Sequence, residues 1–342
     1  MKKEDFIYAS SIICSKWINK NKDPRKLDFK RILIVKLDEI GDMVNSLHVF
    51  ELLKAEYPNA ELTLWCKSFI VPLVNSDPSL STIVTSKAEL TGKYDLIVEL
   101  RGTFESIKYA LFSGAKYRVD RAGIRLKNKF AGGQKHEVIT NLQIIEPVLE
   151  KLPTEIKIHI YHSDADTKLV EDFISTNQLK KFAIFHCEAR RELRKWSPDK
   201  FANTAKYIHQ KYGFDIVFAG DKNDVEDIRK IQDKIPFATL NVAGNFTLSA
   251  FATLASKAKL FIGNESGPLH IATASKCKSL GLYGPGVPVT FYPWGLNASY
   301  IHHVLDCNPC DQIHCVRRGN SCMDMITELE VQEKISKLLS TI

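Results

Sequence analysis

The sequence has no apolar run long enough to span a bilayer, which takes about 20 residues. Its first thirty residues do not read as a signal peptide. Glu4 and Asp5 come early, and the short apolar stretch Ile7–Cys14 leads to no cleavage site. The expectation is a cytoplasmic protein whose eight cysteines are mostly reduced unless they hold metal. No dense basic patch or recognisable motif marks a nucleic-acid partner. No G-x-G-x-x-G occurs, so a dinucleotide fingerprint is absent.

What is present is ordinary globular composition: 342 residues, 44% hydrophobic and 25% charged. That length exceeds one typical core and suggests two domains. The net charge of +7 suits an anionic partner such as a nucleotide diphosphate, a phosphorylated glycan or a membrane surface, and equally an ordinary solvated surface.

Along the chain, residues 1–30 read as an accessory segment. Phe6, Ile7, Ser10, Ile13, Cys14 and Trp17 fall near helical spacing, which predicts a helix docked on the protein's own surface, with a membrane-surface helix the less favoured alternative because the polar face also carries acids. Residues 31–165 and 166–342 then read as two α/β series. Arg31–Lys36 is an unbroken apolar strand of the kind a parallel sheet buries on both faces. Val44, Leu47, Phe50, Leu52 and Leu53 predict a helix after it. Glu61–Trp65 and Tyr94–Leu100 follow as strands, and Lys157–Ile160 closes the half. A connecting helix is expected over Asp164–Asn177. Strands Phe182–Cys187, Phe214–Ala219, Thr239–Val242, Leu260–Ile262 and Ser279–Tyr283 then build a second sheet, before a final helix over Glu328–Leu339. Alternating strands and helices imply doubly wound parallel sheets, here two in series without a sequence repeat.

The chemistry concentrates at strand ends, where open α/β sheets bind ligands. After the first strand, Gly41-Asp42 opens a helix; Asp42 alone is a helix cap or a base. Gly263 to His270 (GNESGPLH) runs from a strand into a helix, and Ser266, Gly267, Pro268 and Leu269 would present an anion site at the helix N-terminus or simply a well-capped helix. The loop Glu188–Trp196 crowds Arg190, Arg191, Arg194 and Lys195 together, which suits a diphosphate clamp or a solvated charge run. Gly220-Asp221 and Asn241–Gly244 end two further strands.

Taken in order, K-x-x-x-x-GD from Lys36, R-x-W-x-x-x-x-FA from Arg194, FAGD, N-x-A-G-x-x-x-L, GN-x-SGPLHIA and YGP resemble glycosyltransferase family 9, which holds the ADP-heptose heptosyltransferases. The resemblance runs from about residue 31 to 330 and implies a GT-B fold: α/β, with two Rossmann-like domains facing across a cleft. It implies an inverting transfer that needs no cofactor, from ADP-heptose to a cell-surface glycan such as lipopolysaccharide inner core at the inner membrane surface. Asp42 matches the family's base. Gly41, Glu99 and Arg101 are the acceptor-side candidates in the N-terminal half. Arg194, Lys195, Gly220, Asp221, Glu265, Ser266, Gly267, Pro268, Leu269 and His270 are the donor-side candidates. Arg194 stands where the family has Lys, and Glu265 where it has Asp; both keep charge and change reach.

The tail carries Cys307, Cys310, Cys315 and Cys322, whose spacing fits a four-thiolate site for structural zinc or iron, or plain thiols. Cys14, Cys66, Cys187 and Cys277 read as buried thiols. The rival readings are another nucleotide-sugar donor, a protein (autotransporter) acceptor, a GT-B epimerase, and a non-catalytic nucleotide-sugar-binding protein.

Overall fold

A computed structural model describes residues 3–130, 133–317 and 319–340. The chain divides into two compact units, 1–161 and 162–342. The first carries strands β1 (Arg31–Lys36), β2 (Glu61–Cys66), β3 (Thr82–Val84), β4 (Leu96–Glu99) and β5 (Tyr117–Asp120). Its helices are α1 (Lys3–Ile18), α2 (Ile40–Val44), α3 (His48–Glu56), α4 (Val71–Val74), α5 (Phe104–Phe112), α6 (Arg121–Phe130) and α7 (Glu137–Ile145). The second carries β6 (Phe182–His186), β7 (Asp215–Phe218), β8 (Leu240–Asn241), β9 (Leu260–Asn264), β10 (Ser279–Tyr283) and β11 (Ala298–His302). Its helices are α8 (Asp164–Thr176), α9 (Pro198–Tyr212), α10 (Val225–Gln232), α11 (Leu248–Lys257), α12 (Gly267–Ala274), α13 (Pro288–Phe291) and α14 (Glu328–Ser340).

The first sheet runs β3-β2-β1-β4-β5 and the second β11-β10-β9-β6-β7-β8, with parallel pairings. Read from its other edge, the second order is that of a doubly wound dinucleotide-type fold, and the first follows the same order over five strands among the described residues. Each sheet therefore has one switch point where the order reverses: β1 beside β4, and β6 beside β9. In open α/β sheets ligands bind at such points, beyond the strands' carboxyl ends.

Sequence dictates the central strands directly. Ile32 to Val35 are wholly buried, as are Ala183 to Phe185, because helices cover both sheet faces. In the second unit the core gathers Phe185, Trp196, Phe201, Phe218, Ile262 and Leu282. Trp196 packs edge-on against Phe201 at 5.0 Å, and its indole N–H donates to Ile326 O at 3.0 Å. Truncating it to Ala would cost about 3–5 kcal/mol.

Several expectations change. The helix expected after β1 is two helices, because Ser46 and Leu47 donate three residues back, to Met43 and Val44, and tighten the turn. Lys157–Ile160 forms no strand: Ile158 and Ile160 turn inward, while His159 and Tyr161 bond Glu51 of α3. The residues alternate as a strand would, but no neighbour pairs with them. The unit boundary falls a few residues before the expected 165/166, so α8 belongs wholly to the second unit. There Ser163 caps it, and Asp166 accepts from Ser249 at 2.8 Å.

Helix α1 docks on the first unit. Tyr8 donates to Gly102 O, Ser15 to Asp120, and Asn19 bonds Arg118 through both its side-chain amide atoms. Phe6 and Ile7 lie outside the described side chains. Cys14, expected to be buried, is half-exposed, whereas Cys66, Cys187 and Cys277 are buried.

Candidate active site

At the first switch point, charge is buried rather than solvated. Lys36, the last residue of β1, is 1% exposed, with its ammonium 3.0 Å from Asp38 and 3.3 Å from Glu137. Arg101 pairs with the other oxygen of Asp38. Arg121 forks onto Glu137, with one arm at 3.0 Å, and also donates to Leu100 O at 2.6 Å and to Asn141 at 2.9 Å. Asn141 in turn donates to Asn45 O and to Ser46, whose hydroxyl donates to Asp42 O at 2.7 Å. A chain of bonds thus runs from two buried ion pairs to the backbone of the short helix carrying Asp42. Such a network positions residues tightly because each buried charge is costly unless paired.

Asp42 itself stands apart from these pairs. It lies in the first turn of α2, and Glu39, not Asp42, occupies the N-cap position; no side chain caps this helix. Burial raises the Asp42 pKa to about 6; Lys36 opposes the shift, and Asp38 and Glu137 reinforce it. Glu137 goes the other way. Burial would raise it, but Arg121 and Lys36 hold it down at about 2. One site therefore contains a carboxylate committed to ion pairs and another poised to take a proton near neutral pH.

The acceptor-side candidates separate. Gly41 lies in α2 beside Asp42. Arg101 is partly exposed on the same loop system. Glu99 does not fit an acceptor contact: it is wholly buried and accepts from the Arg101 and Gly102 amides at 3.0 and 2.7 Å. Gly102, at φ +75°, makes that turn, in a conformation other residues rarely adopt. Glu99 builds the loop through one oxygen; its other oxygen, Oε2, is buried without a partner and has no exposed surface to offer an acceptor.

At the second switch point, β9 ends in Asn264, which accepts from the Trp196 amide at 3.0 Å and donates to Cys187 O at 2.6 Å. That clasp ties the cationic loop after β6 to the start of α12. Ser266 is the α12 N-cap residue but makes no capping bond, and its buried hydroxyl is unpartnered. The first N–H groups of a helix also have no intrahelical acceptor. Glu265 is buried, with Oε1 3.5 Å from Arg194 and Oε2 without a partner; burial raises its pKa and Arg194 opposes this. Gly286 is required beside it, since a Cβ there would strike the Glu265 carboxylate. Buried polar groups left unsatisfied call for a partner, and here two of them gather at one helix N-terminus beside Arg194.

The cationic loop is organised, not merely solvated. Arg194 donates to Gln312 at 2.7 Å. Burial works against the charge of Lys195, but Glu188 at 2.6 Å and Glu192 at 3.0 Å outweigh it and hold its pKa high. Pro268 is the second residue of α12, after Gly267, His270 is buried within the helix, and Leu269 points into the core, so only its backbone can serve a ligand. Gly220 and Asp221 sit instead at the end of β7. There Asp221 accepts from Asn223 at 2.6 Å, and Gly220 accepts from Gly244 at 3.0 Å. They shape a neighbouring turn.

The four tail cysteines are free thiols. Among the described residues no group of three or more His, Cys, Asp or Glu is placed to hold a metal ion, so the four-thiolate arrangement is not formed here. Cys322 instead packs near Gly284, and burial raises its pKa, with Cys310 and Cys315 reinforcing.

Sequence reasoning missed Arg121, Glu137, Asn141 and Gln312. A charged residue heading an apolar helix, as in Glu137-Val138-Ile139, was the available signal; the others carry none locally. Lys36 was visible in a motif, but not its burial.

Two Rossmann-like domains in one chain, with no dinucleotide fingerprint, form the fold of a GT-B glycosyltransferase. The model of Glycosyltransferase family 9 (heptosyltransferase) matches residues 85–320, and the chain belongs to that family. Among curated relatives, it is 26% identical to lipooligosaccharide heptosyltransferase 2 of Campylobacter jejuni, covering 87% of this chain and 96% of that one. It is 25% identical to lipopolysaccharide core heptosyltransferase OpsX of Haemophilus influenzae, over 78% and 82%. Among solved structures, a family 9 glycosyl transferase from Veillonella parvula matches with a TM-score of 0.77 at 20% identity, over 92% and 98% of the two chains. The E. coli ADP-heptose lps heptosyltransferase II matches with a TM-score of 0.72 at 21% identity, over 90% and 98%.

Proposed function

We propose that this glycosyltransferase moves heptose from ADP-heptose to a lipopolysaccharide or lipooligosaccharide inner core, inverting the anomeric centre, with Asp42 as the base. The observation that carries the reading is the Asp42 carboxylate, left out of the ion pairs around it and raised to about 6. A carboxylate that takes a proton near neutral pH at a strand's carboxyl end is what a general base requires. The relatives, lipooligosaccharide and lipopolysaccharide core heptosyltransferases, support the sugar and the acceptor, and the similar E. coli ADP-heptose heptosyltransferase II supports ADP-heptose.

In the proposed step, the acceptor hydroxyl attacks the anomeric carbon opposite the diphosphate. A carbon–oxygen bond forms to the acceptor, the bond to the diphosphate breaks, and the hydroxyl proton passes to Asp42. ADP leaves with the bonding electron pair. Arg194, Lys195 and the α12 N-terminus around Ser266, Gly267 and Leu269 would stabilise that charge. Glu265 would accept a donor-sugar hydroxyl at Oε2. Gly41 and Arg101 would border the acceptor, and Gly220 and Asp221 would shape the rim of the donor side.

The test is to incubate the protein with ADP-heptose, ADP-glucose or UDP-glucose, together with a heptose-free inner-core acceptor, and read products by mass spectrometry. A heptose adduct formed from ADP-heptose alone supports the reading. Transfer from another donor, or none from any, overturns it.

A further inference from the structure

One face of the first unit serves none of this chemistry. The side chains by which α1 docks are Tyr8, Ser11, Ser15 and Asn19. The opposite side of the helix presents Ile13, Lys16 and Trp17, spaced i, i+3, i+4, and the exposed Lys20 follows in the turn just past the helix end at Ile18. Ile13 is 69% and Trp17 78% exposed. Phe112, 81% exposed, closes α5 at the same end, where Lys22 donates to Lys116 O at 2.7 Å. Isolated surface apolars need no explanation, but an Ile and a Trp one turn apart on the same helix face, with lysines beside them, are not isolated. No acidic residue occurs from Phe6 to Lys22. Glu4 and Asp5 lie about two turns before the stripe.

We propose that the α1 stripe, together with the exposed Phe112 at the end of α5, docks this protein on an anionic phospholipid surface. Charge complementarity selects the occupant. Trp17 is suited to the headgroup boundary, Ile13 and Phe112 to the acyl edge just beneath, and Lys16 and Lys20 to lipid phosphates. Because α1 is bonded to Arg118, Asp120 and Gly102, the face is rigidly attached to the sheet that carries Asp42. The inference rests on the proposed amphiphilic acceptor for its purpose, since docking would hold the unit where such an acceptor resides, but not for its physics.

The experiment is co-sedimentation of the full chain with phosphatidylglycerol-containing vesicles and with vesicles of phosphatidylcholine alone. The wild type should pellet with the first, weakly with the second, and be released by added salt. Ile13→Ser/Trp17→Ser and Lys16→Glu/Lys20→Glu should each weaken binding at least about tenfold, given the attraction per lysine near an anionic leaflet. Both should retain the wild-type melting temperature and transfer to a soluble, lipid-free acceptor. If no transfer occurs on any acceptor while the vesicle pattern holds, the enzymatic reading fails and the docking face stands. A wild type that stays in the supernatant, variants that pellet like it, or a concentration-dependent dimer broken by these substitutions would each overturn the proposal.

Discussion

The two switch points share one topology and solve opposite problems. Beyond β1 and β4 lie buried, mutually neutralising charges, and a single carboxylate is held outside the pairing. Beyond β6 and β9 the important groups are unsatisfied: a helix N-terminus, the Ser266 hydroxyl and one oxygen of Glu265, with Arg194 beside them. The first arrangement tunes a proton affinity. The second leaves donors and an acceptor for something not part of the chain. The fold supplies the location in both cases, and local side chains decide what the location does.

Each half of that contrast can be broken separately. Asp42→Asn keeps the shape and removes the base, so turnover should fall about 10²–10⁴-fold, measured under donor saturation, with ADP affinity intact. Unchanged turnover would move the proton to another group, with Glu39 and Asp38 next to examine. Arg121→Leu should leave Glu137 buried and half-paired and cost about 3–5 kcal/mol in urea unfolding; a loss below about 1 kcal/mol would mean the network does not hold the site.

The poised carboxylate also carries a stability signature. A folded pKa near 6 against 3.8 unfolded means the folded state binds the extra proton, so stability from this group falls as pH rises from about 4 to 6. Asp42→Asn should therefore be more stable than wild type at pH 7, by up to about 3 kcal/mol, and no more stable at pH 4. Equal melting curves at both pH values would contradict the burial assigned to Asp42. On the other side, Arg194→Ala should weaken ADP or donor binding about 10- to 100-fold by calorimetry, the worth of a charged hydrogen bond, and spare the fold. Unaltered affinity would remove Arg194 from the donor site.

Much of this was legible in the sequence because it is local. The unbroken run Arg31–Lys36 announces a central strand, and Ser266-Gly267-Pro268 announces a helix start with free amides. The order of motifs pointed to the family. What was hidden is non-local. Glu137 reaches Lys36 across about a hundred residues, and Gln312 reaches Arg194 across a similar span. Glu99 looked available because it ends a strand, but burial turns it toward backbone amides. The segment 157–160 has strand alternation and no strand, since pairing depends on a neighbour that periodicity cannot reveal.

The central claim, that Asp42 accepts the acceptor's proton, is tested most directly by the pH dependence of kcat/KM for the wild type and Asp42→Asn. The wild-type rate should rise about tenfold per pH unit up to about 6 and then level. The variant should be slow and lack that limb. A variant that keeps the same limb, or a wild type flat from pH 5 to 8, would contradict the account.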